Sequence, residues 1–204
     1  MAADQRTPTG KGAQTRRAIL AAAVDRFGRD GFRATSVADI ARDAGVGGTV
    51  AYAYFPNKHA LFMAALDEDA AAVMEEGLYS LFPDAGAHEW RTTLIYTLVE
   101  AVQRHPLARR VLAGLEPDAT DRVLDLPALA ELRKALSQRL REDQLAGRVR
   151  ADIDPDAIGN GSVAIILSLL MSVLQFGTAG AEVYGDDVLA VFQAAIDPPP
   201  RDSA

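Results

Sequence analysis

Four side chains between positions 35 and 58 carry groups that bind phosphate well. Thr35, Tyr52 and Tyr54 each offer a hydroxyl donor, and Lys58 offers a cation at the expected start of a helix, whose free N–H groups attract anions. Residues 1–62 hold nine Lys or Arg and five acidic residues, a net charge of +4, whereas the whole chain carries −7. This asymmetry favours contact between the N-terminal segment and a polyanion. Charge alone leaves ordinary surface variation open as the alternative.

This sequence contains no set of residues with the spacing typical of a catalytic site or a metal site. The chain has no cysteine, which excludes a disulfide framework, a thiolate nucleophile and cysteine-ligated zinc. Its three histidines, His59, His88 and His105, lack the spacing of a metal site. The glycine-rich segment 45–48 follows a helical pattern rather than a strand, so it is not a dinucleotide-binding loop. We therefore expect no enzyme activity, no metal and no cofactor.

The phosphate-binding candidates lie among three short helices. Ile19, Ala23 and Phe27 define the apolar face of a first helix that starts near residue 15 and ends near 28–31. Ser36, with an acidic residue three positions on, has the pattern of a capping box at the start of a second helix, and Gly45 ends that helix in a turn. A third helix spans about 47–55 and stops at a proline. This layout is typical of a helix-turn-helix, whose last helix enters the DNA major groove.

The rest of the chain is acidic and helical. Asn57 is placed to cap a fourth helix, and further helices are expected at about 89–103, 106–115, 127–145, 156–177 and 186–196. The fold class is all-α, with about nine helices: a three-helix helix-turn-helix DNA-binding domain followed by a larger helical domain. The expected units are a flexible arm at 1–14, the helix-turn-helix domain at 15–62, the larger domain at 63–197 and a disordered tail at 198–204.

Apolar stretches are too short for a membrane protein. The N-terminus lacks the apolar run of a secretory signal, and the longest run, 163–174, has 12 residues against the roughly 20 that span a bilayer. We therefore expect a cytoplasmic protein with no membrane partner.

The N-terminal segment resembles the tetracycline-repressor (TetR) family of bacterial regulators. The resemblance is dense at these positions: 15–20, 27, 31–32, 35–37, 39–41, 44–46 and 52–58. Beyond Phe62 it depends on the general layout and on 146–155, which is similar to the connection before the last two helices of the family.

This resemblance implies a homodimer whose two DNA-binding domains grip a pseudo-palindromic operator on double-stranded DNA. It also implies a helical body that binds a small-molecule effector, here of unknown identity, and pairs through its last two helices. Most such proteins are repressors that leave the operator when the effector binds. The sequence does not separate a repressor from an activator, and a helical enzyme or small-molecule carrier with an incidental basic segment is the alternative.

The third helix departs from the usual composition of a recognition helix. Between Val46 and Phe55 there is no Arg, Lys, Asn or Gln, so bidentate contacts to base edges are not possible there. We expect phosphate contacts to supply most of the affinity and DNA shape much of the specificity. The resemblance places Tyr52, Tyr54 and Lys58 on the DNA backbone. The full set of expected DNA contacts is Arg16, Thr35, Ser36, Arg42, Gly48, Thr49, Val50, Tyr52, Tyr54 and Lys58.

Two further sets of residues are expected in the larger domain. A mixture of apolar and polar side chains is typical of a small-ligand pocket, although plain core packing explains it too. The pocket candidates are Phe62, Met74, Trp90, Tyr96, Gln103 and His105. The helix after 155 is apolar nearly all round, which predicts burial both in its own body and against a second subunit. The candidates for that interface are Val163, Ile166, Leu170, Leu174 and Val191.

Overall fold

The computed structural model describes residues 10–79, 81, 89–120 and 122–198, and these form ten α-helices, one 3-10 helix at Val123–Asp125 and no strand. The all-α prediction is therefore confirmed, with the short α7 as an addition to the expected set. The α-helices are α1 (Lys11–Ala34), α2 (Val37–Asp43), α3 (Gly48–Tyr54), α4 (Lys58–Tyr79), α5 (Glu89–Arg104), α6 (Pro106–Leu112), α7 (Pro117–Thr120), α8 (Pro127–Leu145), α9 (Pro155–Phe176) and α10 (Thr178–Ile196).

Some expected boundaries differ from the structure. α1 begins at Lys11, so residues 11–14 are helical and the expectation of a flexible arm is wrong there; residues 1–9 and His88 lie outside the described residues. The predicted end of α1 coincides with Gly31, whose φ of +82° breaks the helix before a last turn to Ala34. α10 begins at Thr178 rather than 186, because the small residues that precede 186 carry little apolar periodicity. Of the expected tail, only Pro198 is described.

The first three helices pack around a small core, with α1 against α2 and α3. Ile19, Ala23 and Phe27 on α1 are fully buried, as the helical spacing predicts. The Ser36 side chain accepts the backbone N–H of Asp39 and caps α2, while Asn57 accepts the N–H of Ala60 and caps α4. Both predicted caps are thereby confirmed, and they fix where the chain enters each helix.

α4 and α6 connect this three-helix unit to the larger domain. Both helices pack on α1. The Phe62 ring on α4 meets Phe27 and Phe32 edge-on, with ring centres 5.1 Å apart in each pair. α6 comes so close to α1 that a Cβ added at Gly28 would lie 2.6 Å from Pro106 Cβ and 2.8 Å from its carbonyl carbon. The absence of a side chain at Gly28 is what permits this contact.

A buried carboxylate fixes the start of α6. Asp69 on α4 is 4% exposed, and its Oδ2 accepts the backbone N–H groups of Leu107 at 2.9 Å and Ala108 at 2.8 Å. Its Oδ1 lies 2.9 Å from Nδ1 of His105, whose Nε2 lies 3.1 Å from Glu76. A carboxylate at a helix N-terminus meets both the free N–H groups and the positive end of the helix dipole. Asp69 therefore joins α4 firmly to α6.

α9 is long and apolar enough, by length and composition, to cross a membrane. It has 22 residues, and its most apolar window has a mean hydropathy of 2.0, with 39% of that window buried in the fold. It packs on α8 and α10, as a core helix of a soluble protein does. Its composition is therefore no indication of a membrane.

We predict that Gly28→Ala destabilises the protein by about 1–3 kcal/mol, because the new methyl group overlaps backbone atoms of α6 that cannot rotate away. Gly48→Ala is the matched control, since no atom lies within 4 Å of a Cβ there, and it should stabilise α3 by up to about 1 kcal/mol. Urea unfolding of the two variants measures the difference. Equal midpoints would contradict a tight contact between α1 and α6.

Candidate nucleic-acid interface

The turn between α2 and α3 is held by backbone hydrogen bonds that need a glycine. Gly45 has a φ of +69°, and its N–H donates to the carbonyl of Arg42 at 3.1 Å. The next N–H, of Val46, donates to the carbonyl of Ala41 at 2.9 Å. This pair of bonds is a Schellman motif, whose left-handed residue favours glycine. It sets the direction in which α3 leaves α2.

α3 is exposed on almost every side. Ala51 is its buried residue, whereas Gly48, Thr49 and Val50 are exposed and Tyr52 is 55% exposed. Its N-cap is a glycine that makes no side-chain hydrogen bond. A helix held by one small buried side chain presents nearly its whole surface to a partner, as a helix that enters a DNA groove must.

Lys58 and Arg16 flank α3 and rest on aromatic rings. The Lys58 Nζ lies 4.4 Å from the centre of the Phe32 ring, and the Arg16 Cζ lies 5.4 Å from that of Phe55. Both cations keep exposed surface, and no described carboxylate lies within ion-pair distance of either. Arg16 belongs to α1, so its backbone is fixed by a helix and not by a flexible arm. Cations held beside rings in this way are positioned for phosphate.

Two of the expected DNA contacts have their hydroxyl groups engaged within the fold. Thr35 is 3% exposed, and its hydroxyl donates to the carbonyl of Gly31 at 2.8 Å, so the expectation of a phosphate contact there is wrong. The Ser36 hydroxyl donates to the Asp39 carboxylate at 2.7 Å while its oxygen caps α2. Sequence spacing marks both residues as belonging to the motif but does not show which of them face outward.

Internal ion pairs reduce the positive charge that the three-helix unit offers. Arg26 pairs with Asp43 at 2.6 Å, and Arg42 pairs with Asp39 at 2.6 Å. Hydrogen bonds from Ser36 and Arg42 hold the pKa of Asp39 below its ordinary value. Arg42 nevertheless stays 69% exposed, so it can exchange its carboxylate for a phosphate.

Comparison with known proteins relates the helix-turn-helix segment to a family of regulators. The model of the bacterial regulatory proteins of the tetR family matches residues 19–65, which covers α1 to the first part of α4. The N-terminal segment of this protein therefore carries the DNA-binding domain of the tetR family. Members of the family are transcription factors rather than enzymes; they bind operator DNA and typically act as dimers with small-molecule effectors. The alternative of a helical enzyme or carrier is thereby set aside.

Solved structures share the fold over nearly the whole chain. A TetR-family regulator from Pectobacterium atrosepticum is 20% identical, with 96% of this chain and all of that chain covered and a TM-score of 0.77. A protein whose structure concerns the control of antibiotic production by bacterial hormones is 23% identical to this chain. The match covers 91% of this chain and 98% of that chain, with a TM-score of 0.69. SmeT, the repressor of the Stenotrophomonas maltophilia multidrug efflux pump SmeDEF, is 18% identical to this chain. The match covers 92% of this chain and 94% of SmeT, with a TM-score of 0.62. None of the curated proteins matches the sequence.

The larger domain contains an apolar cavity of about 30 Å³, bordered by α4, α5, α6, α8, α9 and the segment between α7 and α8. Met74 lines it. The other pocket candidates lie elsewhere: Phe62 is in the aromatic cluster beside α1, Trp90 borders a second cavity, and His105 lies between Asp69 and Glu76. Tyr96 is 63% exposed and Gln103 is also exposed, so placing these two in a pocket was wrong.

The interface candidates divide between the two sides of α9. Val163, Ile166 and Leu170 are at most 4% exposed and line the cavity, so the structure does not support them as interface residues. Leu174 is half-buried, and Val191 on α10 is 59% exposed. The exposed apolar side chains of α9 are instead Ile165 and Phe176. The small and polar residues Ala164, Ser168 and Gln175 lie on the exposed side of α9, and their spacing is the signal that could have separated its two faces.

We predict that Tyr52→Phe weakens binding to any duplex about ten-fold, because it removes one hydroxyl that would donate to a charged phosphate and leaves the fold intact. Tyr79→Phe, which alters a 74% exposed tyrosine on α4, is the control and should bind as the native protein does. Fluorescence anisotropy with a labelled duplex at low salt measures both. Unchanged affinity for Tyr52→Phe would contradict its role as a phosphate contact.

Proposed function

We propose that this protein is a repressor that occupies a pseudo-palindromic operator as a dimer and releases it when a small molecule binds. The observation that carries the proposal is the exposure of α3, whose buried residue is Ala51. This helix is the last of a helix-turn-helix that the tetR-family model matches. The units proposed are a DNA-binding domain at 15–62 and an effector-binding and dimerisation domain at 63–197. We place the protein in the cytoplasm, where the operator is.

The DNA contacts supporting this function fall into two groups. Tyr52, Tyr54 and Lys58 bind the phosphate backbone, assisted by Arg16 and Arg42. Thr49 and Val50 bring methyl groups to thymine, and Gly48 lets the backbone approach closely. Since methyl contacts discriminate weakly, most of the affinity comes from released counterions and much of the specificity from DNA shape.

Effector binding is proposed to act through α4 and α6, which have one side on the apolar cavity and another on α1. Met74 of α4 and Val111 of α6 line the cavity. On the opposite side the backbone N–H of Phe32 donates to Glu116, just after α6, at 3.0 Å, and Glu116 also accepts from Arg110 at 2.8 Å. Because a cavity of about 30 Å³ has the volume of about one water molecule, a larger ligand must displace its walls. That displacement moves the DNA-binding domain.

The dimer is proposed to form through the outward side of α9 and α10. Ile165 is 38% exposed, Phe176 76% and Val191 59%. Apolar side chains exposed along two adjacent helices are typical of a surface that a second subunit covers. A second copy also supplies the second DNA-binding domain that a palindromic operator requires.

We predict that the protein retards the duplex from upstream of its own coding region, with an affinity that falls steeply as salt rises. Thr49→Ala and Val50→Ala should reduce the preference for this duplex over a scrambled one by several-fold each and leave the salt slope unchanged, because they remove base contacts alone. Gel shifts over a salt series measure both quantities. A preference that survives both changes would contradict base contact by α3.

We predict that Val191→Glu combined with Ile165→Glu converts the dimer to a monomer at micromolar concentration, because each change places a carboxylate in the apolar interface. Leu145→Glu is the control, since Leu145 is 90% exposed at the end of α8 and should tolerate the charge. Sedimentation velocity gives the mass. A dimer in the double variant would contradict this interface.

A further inference from the structure

One buried arginine in the larger domain has donors that no described residue meets. Arg91, near the start of α5, is 5% exposed, and its Nη1 donates to Oδ1 of Asp197 at 2.8 Å. Its Cζ lies 5.5 Å from the centre of the Trp90 ring. The buried Nε and Nη2 atoms have no acceptor among the described residues. Since unpaired buried donors are unfavourable, above all on a cation, the fold favours any acceptor that reaches them.

The two unpaired donors share one edge of the guanidinium plane. The Nε–H and one Nη2–H point in parallel, and this is an edge that binds both oxygens of a carboxylate. Asp197 meets Nη1 and leaves that edge open. A carboxylate satisfies both donors at once, through bonds roughly twice as strong as neutral ones, whereas a single hydroxyl or amide oxygen offers only one acceptor atom. The chemistry of the open edge therefore favours a carboxylate.

Arg91 borders a cavity of about 20 Å³ between α5, α8, α9 and α10, which is room for one group of about the size of a water molecule. Apart from Trp90, Arg91 and Ser162, its walls are aliphatic or phenyl side chains: Leu94, Ile95, Leu136, Ile166, Phe192 and Ile196. Ile166 also lines the larger apolar cavity, so the two cavities are neighbours on α9. Because Ile166 lines both cavities, a ligand with its polar end at Arg91 must displace this side chain to reach the apolar space beyond it.

We propose that Arg91 binds the carboxylate of an aliphatic monocarboxylic acid whose hydrocarbon chain occupies the larger cavity. The lining of that cavity contains no polar side chain, so a second functional group on the hydrocarbon chain of the ligand would find no partner there. That this acid is also the effector rests on the proposed function. The hydrocarbon chain of the acid would separate α4, α6, α8 and α9, which border the larger cavity. The carboxylate site itself can be tested on the protein without DNA.

The charges described around Trp90 are compatible with an added anion. Its indole N–H donates to Asp143 at 3.1 Å, and Arg139 lies over the ring with Cζ 5.8 Å from the centre. Arg148 also pairs with Asp143, at 2.7 Å. Together with Arg91 and Asp197, this region holds three guanidinium groups and two carboxylates. A bound carboxylate therefore enters surroundings that contain nearby positive charge.

Isothermal titration calorimetry with sodium octanoate on the DNA-free protein tests the site. Octanoate should bind at least ten-fold more tightly than octanamide and 1-octanol, which keep the chain and lack the charge. Lengthening the acid from butanoate to octanoate should tighten binding about four-fold for each methylene group, because each one leaves water for the apolar cavity. Weaker binding of octanoate than of 1-octanol, or no dependence on chain length, would overturn the proposal.

Two arginine variants separate the carboxylate site from general hydrophobic binding. Arg91→Met keeps an unbranched apolar stem as far as the position of Nε and removes the donors, so octanoate should bind 10- to 100-fold more weakly and 1-octanol within about three-fold of the native value. Arg91→Lys retains a charge without the paired donors and should lose most of the preference for octanoate. Arg133→Met, outside the lining of both cavities, should change neither affinity.

The outcomes distinguish this site from the function of the whole protein. Equal octanoate binding by native protein and Arg91→Met would overturn the site even if the protein binds DNA. Octanoate binding that Arg91→Met abolishes supports the site even if gel shifts show no DNA complex, a result that would count against the proposed function alone. Release of DNA by octanoate from native protein, and not from Arg91→Met, would support both.

Discussion

The hydrogen bonds from α6 to the buried carboxylate of Asp69 are the constraint on which the arrangement of the two domains depends. Asp69 belongs to α4, and the N–H groups it accepts belong to the first turn of α6, so the two helices move together at that point. Apolar packing alone would allow them to slide, because dispersion and hydrophobic contacts have little directional preference. The paired N–H bonds are directional and buried, and separating them would leave one oxygen of a buried carboxylate without its donors. The position of α6 on α1 therefore follows from the position of α4.

A signal from the cavity to the DNA-binding domain has few routes through this structure. Gly28 brings α1 into contact with the backbone of α6, and Glu116 joins the segment after α6 to the backbone of Phe32. Both contacts are made to main-chain atoms, which cannot rotate away as side chains do. A shift of α6 therefore reaches α1 as a displacement of the helix itself. The aromatic cluster of Phe27, Phe32 and Phe62 transmits movement of α4 to the same place.

The local features of the fold could be predicted from sequence because they depend on neighbours in the chain. The buried face of α1, the caps at Ser36 and Asn57 and the glycine turn before α3 each need fewer than ten residues of context. The candidate sites in the larger domain depend on contacts between distant residues. Arg91 meets Asp197 across 106 positions, and Trp90 meets Asp143 across 53. The periodicity of apolar residues along a helix gives no information about such pairs. The outward side of α9 carries smaller and more polar residues, among them Ala164, Ser168 and Gln175, so their spacing could have indicated which side faces outward.

α9 places two functions on one helix. Successive residues on a helix point about 100° apart, so Ile165 can be exposed on the proposed pairing surface while Ile166 lines both cavities. A ligand that displaces Ile166 displaces the helix through which we propose that the two subunits pair. In the proposed dimer the two DNA-binding domains are spaced by the crossing of α9 and α10 with their copies, and a palindromic operator accepts a narrow range of spacings. Widening the cavity can therefore act on DNA binding in two ways: through α4 and α6 within a subunit, and through α9 between subunits. Because the cavity has a volume of only about 30 Å³, a larger group must displace its walls, and both effects follow from that displacement.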